Sequence, residues 1–200
     1  MRRILTITVA FLMMLTSCEE YLKETMISDV SSSSYYVTED GMLKALSASY
    51  SYLKSYYGQE VGLYLTLYGT DTYAMGATGS YTALDHYLFD SQDGYFKSLW
   101  VNLYKAINQC NAVIGRAEES TEIEESVKNR FVAEARFLRG LYYFILIRQF
   151  GDVHLTLEET VGVETEAIKT AREVIYDTAV IPDLEYAANV LPVSQSDYGR

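Results

Sequence analysis

FVAEARFLRGLYYFILIRQFGD, the segment from Phe131 to Asp152, decides the fold that this sequence predicts. At helical spacing it carries two apolar rows: Phe131, Ala135, Leu138, Tyr142 and Ile145 form the first, and Ala133, Phe137, Gly140, Leu141 and Phe144 form the second. A helix that is apolar on two sides must be covered on both. We therefore predict a central helix with Phe137 buried and with Arg136 and Arg139 on a narrower polar face.

Two helices are predicted before this segment, because apolar residues recur there every three or four positions. The first runs from about Glu39 to Tyr57 behind an N-cap at Thr38. The second starts at Tyr95 and places Trp100 on its buried side. Between them, the apolar run from Val61 to Tyr68 fits either a short helix or a strand by periodicity alone.

The central helix is expected to begin at a capping box, in which Thr121 and Glu124 satisfy each other's backbone donors, and to end at Gly151. A fourth helix is expected to start at Thr165. Pro182 lacks a backbone donor and collides with the preceding turn, so we expect a kink or a fresh start there. Together these segments predict an all-α fold of antiparallel helix pairs.

Periodicity fails between Gly69 and Gly94, where glycine, threonine, tyrosine and aspartate dominate. Long irregular segments of this kind tend to carry function. A tyrosine ring can stack on a sugar while its hydroxyl forms a hydrogen bond, and a carboxylate can accept sugar hydroxyls. The candidate ligand contacts are Tyr73, Tyr81, Tyr87, Asp71 and Asp85. Ordinary loop packing for the tyrosines and turn or capping roles for the aspartates are the alternatives.

The N-terminus has the charged, apolar and small-residue regions of a secretory signal, from Arg2 to Ser17. Its apolar run is shorter than the ~20 residues that span a bilayer. Cys18 directly follows a Leu-Thr-Ser triplet, which resembles a bacterial lipobox; a plain signal peptide or an anchor is the alternative. We predict residues 1–17 as a signal peptide, 18–36 as the lipidated cysteine and a flexible tether, and 37–200 as the helical domain.

Charge and motifs exclude several functions. The chain has 27 acidic and 16 basic side chains, for a net charge of −11, and it has no basic cluster, so nucleic acid is not an expected partner. Neither His86 nor His154 belongs to a catalytic or metal-binding motif. We therefore predict no catalytic residues, no metal site and no cofactor. Cys110, between Ile107 and Ile114 on one helical face, is expected to be buried.

Several motifs occur in an order that resembles the SusD/RagB family: WVNLYKAINQCNAVI at 100–114, AEARFLRGLYYF at 133–144, FGDVHL at 150–155 and DLEYAANVLP at 183–192. The resemblance implies a tetratricopeptide-like helical scaffold and a short helix at the apolar run from Val61 to Tyr68. It covers Cys18 to Arg200 but matches only the N-terminal part of the family, so the chain looks truncated. His154 departs from the family's proline, and Pro182 interrupts a helix that the family leaves unbroken.

The resemblance also implies a function. Members are lipid-anchored outer-membrane proteins that cap a TonB-dependent transporter and help it capture glycans or other nutrients. Glu19 and Glu20 resemble a signal for export to the cell surface. The expected partners are thus a TonB-dependent transporter, an oligosaccharide or other nutrient, and the outer membrane. The alternative is a surface scaffold of helical repeats that binds only protein, or a truncated product without function.

Polar residues on the predicted helices allow two interpretations. Arg136 and Arg139 could form an anion site beside Glu134, but pairing with acids of a neighbouring helix is the favoured interpretation. Asn108 and Asn111 are expected to form hydrogen bonds between helices.

Overall fold

The structure is a computed structural model that describes residues 36–58, 60–74, 82–163 and 166–194. The first half of this part contains α1 (Glu39–Ser51), α2 (Lys54–Tyr57), α3 (Glu60–Leu67), α4 (Thr82–Asp85) and α5 (Gly94–Glu119). The second half contains α6 (Glu125–Phe150), β1 (Val153–His154), β2 (Lys169–Thr170), α7 (Arg172–Ile175) and α8 (Ile181–Val190). A π-helical turn, Tyr176–Val180, joins α7 to α8.

Helices α5 and α6 form a long antiparallel pair at the centre of the molecule. Trp100 near the start of α5 contacts Phe150 at the end of α6, and Asn111 further along α5 contacts Arg139. The short connection after Glu119 forces this orientation. The predicted fold class, an all-α fold of antiparallel helix pairs, is confirmed.

Two other elements cover α6, one on each side. Tyr142 reaches α1, where its hydroxyl donates to the Ser49 carbonyl at 2.6 Å. The helical segment α7–α8 crosses the opposite side, where a β-carbon added to Gly140 would lie 3.3 Å from the Val180 carbonyl oxygen. The central helix is therefore enclosed between neighbours, as its two apolar rows predict.

The prediction that Phe137 is buried was wrong, because its side chain is 38% exposed. The second apolar row is fully buried only at its small residues, Ala133 and Gly140. These positions allow α8 to approach closely, whereas the larger Phe137 lies at the edge of the contact.

Arg139 lies in the interior of the fold, where it faces α8. Its guanidinium forms two hydrogen bonds with the Asp183 carboxylate, at 2.7 and 2.9 Å. The acid therefore comes from the neighbouring helix α8, as the favoured interpretation of this arginine expected.

The first predicted helix is divided in two. α1 ends at Ser51 and α2 begins at Lys54. The hydroxyls of Ser47, Ser49 and Ser51 all donate to backbone carbonyls three or four residues earlier, a contact that bends helices. The segment after Gly58 is the short helix α3, which confirms the short helix that the family resemblance implied.

Two predicted helix starts were wrong. α6 begins at Glu125 with Glu124 as its N-cap and no side-chain capping bond, so Thr121 forms no capping box. The fourth helix begins at Arg172 rather than Thr165, because Lys169–Thr170 pairs with Val153–His154 as a short antiparallel ladder.

Pro182 is accommodated by the π-helical turn before it. The Ile181 N–H donates to the Tyr176 carbonyl, five residues back rather than four. This shift allows the proline to occupy the first turn of α8, where its missing N–H costs least. The expected irregularity is therefore present. Within the described ranges, no helix is long and apolar enough to cross a membrane.

Candidate functional site

A tight turn at the start of the irregular excursion presents two of the predicted ligand contacts. Thr70 pairs with Tyr73 across this turn, which leaves Asp71 exposed and the Tyr73 side chain 43% exposed. In the described part of the chain, the Tyr73 hydroxyl forms no hydrogen bond. Both side chains therefore keep their hydrogen-bonding capacity for a ligand.

A row of tyrosine rings supports Tyr73. Its ring centroid lies 5.5 Å from that of Tyr68, which stacks at 5.0 Å on Tyr64. Tyr64 in turn meets Tyr95 edge to face at 6.1 Å. Since Tyr64 belongs to α3 and Tyr95 to α5, the row connects the excursion to the helical scaffold.

Asp85 and Tyr87 hold the excursion to the end of α3. The Gly69 N–H donates to Asp85 Oδ1 at 3.3 Å, and the Tyr87 hydroxyl donates to the Gly69 carbonyl. Gly69 has a φ of 73°, and an added β-carbon there would lie 2.8 Å from the Tyr87 ring. The Asp85 carboxylate and the Tyr87 hydroxyl thus form the hydrogen bonds of this turn, although the Tyr87 side chain remains 69% exposed.

The structure brings these four predicted residues to one region. Asp71 and Tyr73 come shortly after Gly69 along the chain. Asp85, the last residue of α4, and Tyr87, which follows that helix, both contact Gly69. Tyr81 lies outside the described residues, as does Cys18. The first pair is available to a ligand, whereas the second pair shapes the turn that presents it.

Sequence analysis missed the surroundings of Trp100, which it placed on a buried face. The Trp100 side chain is 37% exposed and lies between two clefts of about 550 and 510 Å³. Its ring centroid lies 5.0 Å from those of Tyr104 and Phe150. Helical spacing identified the apolar row correctly, but it carries no information on how far the neighbours cover each ring.

The two clefts differ in character. The larger, which we call the polar cleft, is lined by Trp100, Tyr104, Asn108 and residues of the segment after β1. The smaller, the apolar cleft, is lined mainly by Phe89, Phe96, Trp100 and Phe150. In the polar cleft, burial raises the pKa of Tyr104 above its usual range, so its hydroxyl stays protonated and donates to the His154 carbonyl at 2.8 Å.

The arginines considered as an anion site are largely committed to other contacts. Arg139 pairs with Asp183, and the Arg136 guanidinium lies 4.3 Å from the centroid of the Tyr186 ring. The Arg136 Nε is buried without a hydrogen-bond partner in the described part of the chain. With the Arg139 guanidinium neutralised by Asp183 and the Arg136 guanidinium stacked on Tyr186, the contacts support the favoured interpretation, in which these arginines bind a neighbouring helix.

The two asparagines of α5 hold the segment after β1. The Asn111 side-chain amide donates to the carbonyls of Thr156 and Glu158, and its oxygen accepts from Arg139 on α6. Asn108 Oδ1 accepts from the Thr160 N–H at 2.8 Å. One interhelical hydrogen bond is present as predicted, and the other contacts reach a segment that sequence analysis did not connect with α5.

Cys110 is fully buried, as predicted, and desolvation raises the pKa of its thiol to about 12. No group of three or more histidine, cysteine, aspartate or glutamate side chains that could hold a metal ion occurs within the described ranges. The arrangement therefore offers exposed aromatic rings and hydrogen-bonding groups, which suit the binding of a polar ligand with apolar faces.

Comparison with known proteins assigns the fold to a family. Residues 21–198 match the model of a SusD-like family described as starch-binding and associating with the outer membrane. The chain belongs to this SusD-like family. It is 28% identical over 193 residues to SusD-like protein P2 of Formosa agariphila, in an alignment that covers 94% of this chain and 38% of that protein. The chain thus spans well under half the length of such relatives.

Solved structures share the fold. A SusD superfamily protein from Bacteroides vulgatus superposes with a TM-score of 0.73 at 22% identity, over 81% of this chain and 36% of that one. A laminarin-binding SusD-like protein gives a TM-score of 0.69 at 24% identity, over 80% of this chain and 36% of that one. At this level of identity, the likeness shows the fold alone.

Proposed function

We propose that this SusD-like chain belongs to a lipid-anchored protein of the outer-membrane surface that binds a glycan and delivers it to a TonB-dependent transporter. The family description and a laminarin-binding structural neighbour support a glycan as the ligand. The signal-like N-terminus with Cys18 supports the anchor. In this role the protein binds and transfers the glycan without a catalytic step.

The observation that carries the ligand class is the turn at Thr70–Tyr73. It combines an exposed aromatic ring, a hydroxyl available for hydrogen bonding and an exposed carboxylate. A pyranose presents apolar C–H faces and hydroxyls at its edge, so it matches a ring flanked by polar groups. The row of tyrosines behind Tyr73 restricts this ring before binding and so lowers the entropic cost of association.

Replacement of the exposed ring tests this function. Tyr73→Ala removes a stacking contact of ~0.5–1.5 kcal/mol, so affinity should fall about two- to tenfold. Tyr73→Ala combined with Tyr81→Ala should lower it roughly five- to a hundredfold if both rings contact the ligand. Isothermal titration with maltoheptaose and laminarihexaose measures the affinities, and thermal melts check folding.

The matched control is Tyr57→Ala, which removes a more exposed tyrosine from α2, outside the excursion. It should leave affinity unchanged. Wild-type affinity in the double variant would show that these tyrosines are packing residues. No binding of either oligosaccharide by the wild type would favour the protein-binding alternative.

One observation favours that alternative. Phe137 on α6 and Ile181 and Leu184 on α8 are exposed apolar side chains of two packed helices, which is typical of a surface that contacts another protein segment. A transporter gene next to this one, with a reading frame that continues past Arg200, would favour glycan capture. An isolated gene would favour a scaffold.

A further inference from the structure

The polar cleft beside Trp100 has the architecture of a binding site that is separate from the excursion. Trp100, Tyr104 and Asn108 recur every four residues on α5, so they lie on one helical face and form one wall. His154, Thr156 and Thr160, from the segment that begins at β1, form the opposite wall. The volume of about 550 Å³ is within the ~300–1,000 Å³ of small-molecule sites.

Several contacts hold these walls in place without a ligand. The Tyr104 hydroxyl donates to the His154 carbonyl, and Asn108 accepts from the Thr160 N–H, both at 2.8 Å. The Trp100 ring meets Phe150 edge to face at 5.0 Å. The two walls are thus joined to each other, and the cleft is formed before any ligand enters.

The cleft also has hydrogen-bonding capacity that the fold does not use. Within the ranges that the structure describes, the side-chain N–H groups of Asn108, the Lys105 ammonium and the Tyr52 hydroxyl form no hydrogen bond. Water can satisfy these groups in the open cleft, and a ligand can replace it. The cleft therefore offers donors and acceptors around the exposed part of an indole ring.

Charge indicates which polar ligand would fit. Among the described lining residues, Lys105 is the one lysine or arginine and Glu166 the one acid, so their charges cancel. A phosphorylated or strongly anionic ligand would need an excess of basic groups. A neutral ligand with one apolar face and several hydroxyls fits the lining, and a neutral sugar ring has this chemistry.

We propose that the polar cleft is a second subsite for a neutral oligosaccharide, in which a pyranose ring packs against Trp100 and receives hydrogen bonds from Lys105, Asn108 and Tyr52. The choice of a glycan as ligand rests on the proposed function. The residues are different from those of the excursion, so the two sites can be tested separately.

Trp100 is the chain's one tryptophan, so selective excitation of tryptophan reports on the surroundings of its ring, and variants of Lys105 and Lys97 distinguish the polar cleft from the apolar cleft. Protein produced from the full chain is titrated with maltoheptaose and with laminarihexaose, and binding is followed in parallel by tryptophan emission and by calorimetry. We expect a saturable emission change whose half-saturation point agrees with the calorimetric Kd. Lys105→Ala and Tyr52→Phe, which each remove one hydrogen-bonding group, should each weaken affinity about two- to tenfold.

Lys97→Ala is the matched control, because Lys97 is an exposed lysine of the same helix that lines the apolar cleft instead. It should keep wild-type affinity. One outcome overturns the second subsite and leaves the proposed function standing. In it, calorimetry detects oligosaccharide binding that Tyr73→Ala weakens, the ligand does not change tryptophan emission, and Lys105→Ala keeps wild-type affinity. If neither oligosaccharide binds by either method, both are overturned.

Discussion

Arg139 joins more parts of the structure than its place in the sequence indicates. Two of its guanidinium nitrogens bind Asp183 on α8, and the third donates to Asn111 on α5 at 2.8 Å and to the Leu157 carbonyl at 3.1 Å. Both partners of the ion pair are buried. A buried charge is tolerated only when its donors are satisfied, so these contacts depend on one another.

Removal of one partner should be costly. Asp183→Ala leaves the Arg139 guanidinium buried without its counter-ion, and the free energy of unfolding should fall by ~3–5 kcal/mol. Replacement of both partners by apolar residues, Arg139→Met with Asp183→Leu, should cost less than Asp183→Ala alone, because no charge remains buried. Urea denaturation followed by circular dichroism measures these differences.

The control for this prediction is an exposed ion pair. Lys44 and Asp40 lie on the surface of α1, and Asp40→Ala should change the free energy of unfolding by less than ~1 kcal/mol. If Asp183→Ala were equally mild, the buried pair would contribute little to the stability of the fold.

At the scale of single residues, the sequence predicted the kind of contact that a side chain makes better than its exposure to solvent. The sequence predicted that Arg139 pairs with an acid of a neighbouring helix and that Trp100 lies on the buried side of its helix, and the structure confirms the first prediction and contradicts the second. Arg139 is buried because it pairs with Asp183 on a packed helix. This partner lies 44 positions away in the sequence, so a local pattern cannot identify it. Trp100 is exposed because the clefts on both its sides are open.

Two glycines show how the helices are packed. Gly115 on α5 faces open space, since an added β-carbon would meet no atom within 4 Å. Gly140 on α6 faces the π-helical turn and α8, where that carbon would lie 3.3 Å from the Val180 carbonyl oxygen and 3.4 Å from Leu184. Glycine costs a helix interior about 0.5–1 kcal/mol relative to alanine at both positions.

These environments predict that replacement of glycine by alanine has opposite effects on stability at the two positions. Gly115→Ala should raise the free energy of unfolding by about 0.5–1 kcal/mol, because it removes backbone freedom from the unfolded chain without a clash. Gly140→Ala should lower the free energy of unfolding, because the backbone of the π-helical turn must move away. Chemical denaturation of both variants under the same conditions tests the pair, and equal stabilisation by both would show that α8 can retreat from Gly140.

The elements themselves could be predicted where apolar periodicity was long. The paired helices α5 and α6 follow from it, because each buries a continuous stripe. Short segments were less predictable, since Lys169–Thr170 is a strand only because Val153–His154 lies beside it. The lack of periodicity in the excursion allowed the candidate site to be placed there from the sequence. The polar cleft could not be predicted, because its two walls, α5 and the segment after β1, are distant in sequence.

The whole molecule combines a helical scaffold with a proposed attachment to the membrane. The surfaces proposed for glycan contact, the Thr70–Tyr73 turn and the polar cleft, belong to the described part of the chain. The chain spans 38% of the curated relative of Formosa agariphila, so the complete ligand pathway and the transporter contact remain proposals for the whole protein. Capture at the cell surface requires that the protein stay there, which makes the anchor a condition of the proposed function.

We propose Cys18 as the site of that anchor, and the chain's second cysteine provides a control. A single acyl chain binds membranes only marginally, whereas a cysteine that carries several chains is stably held. Cys18→Ala should therefore move the protein from the outer-membrane fraction to the soluble fraction and abolish fatty-acid labelling. Cys110→Ala should keep both, because the Cys110 thiol is buried in the core and its raised pKa leaves it unreactive. Fractionation with metabolic labelling measures both variants, and an unlabelled wild type together with a membrane-bound Cys18→Ala variant would disprove the anchor.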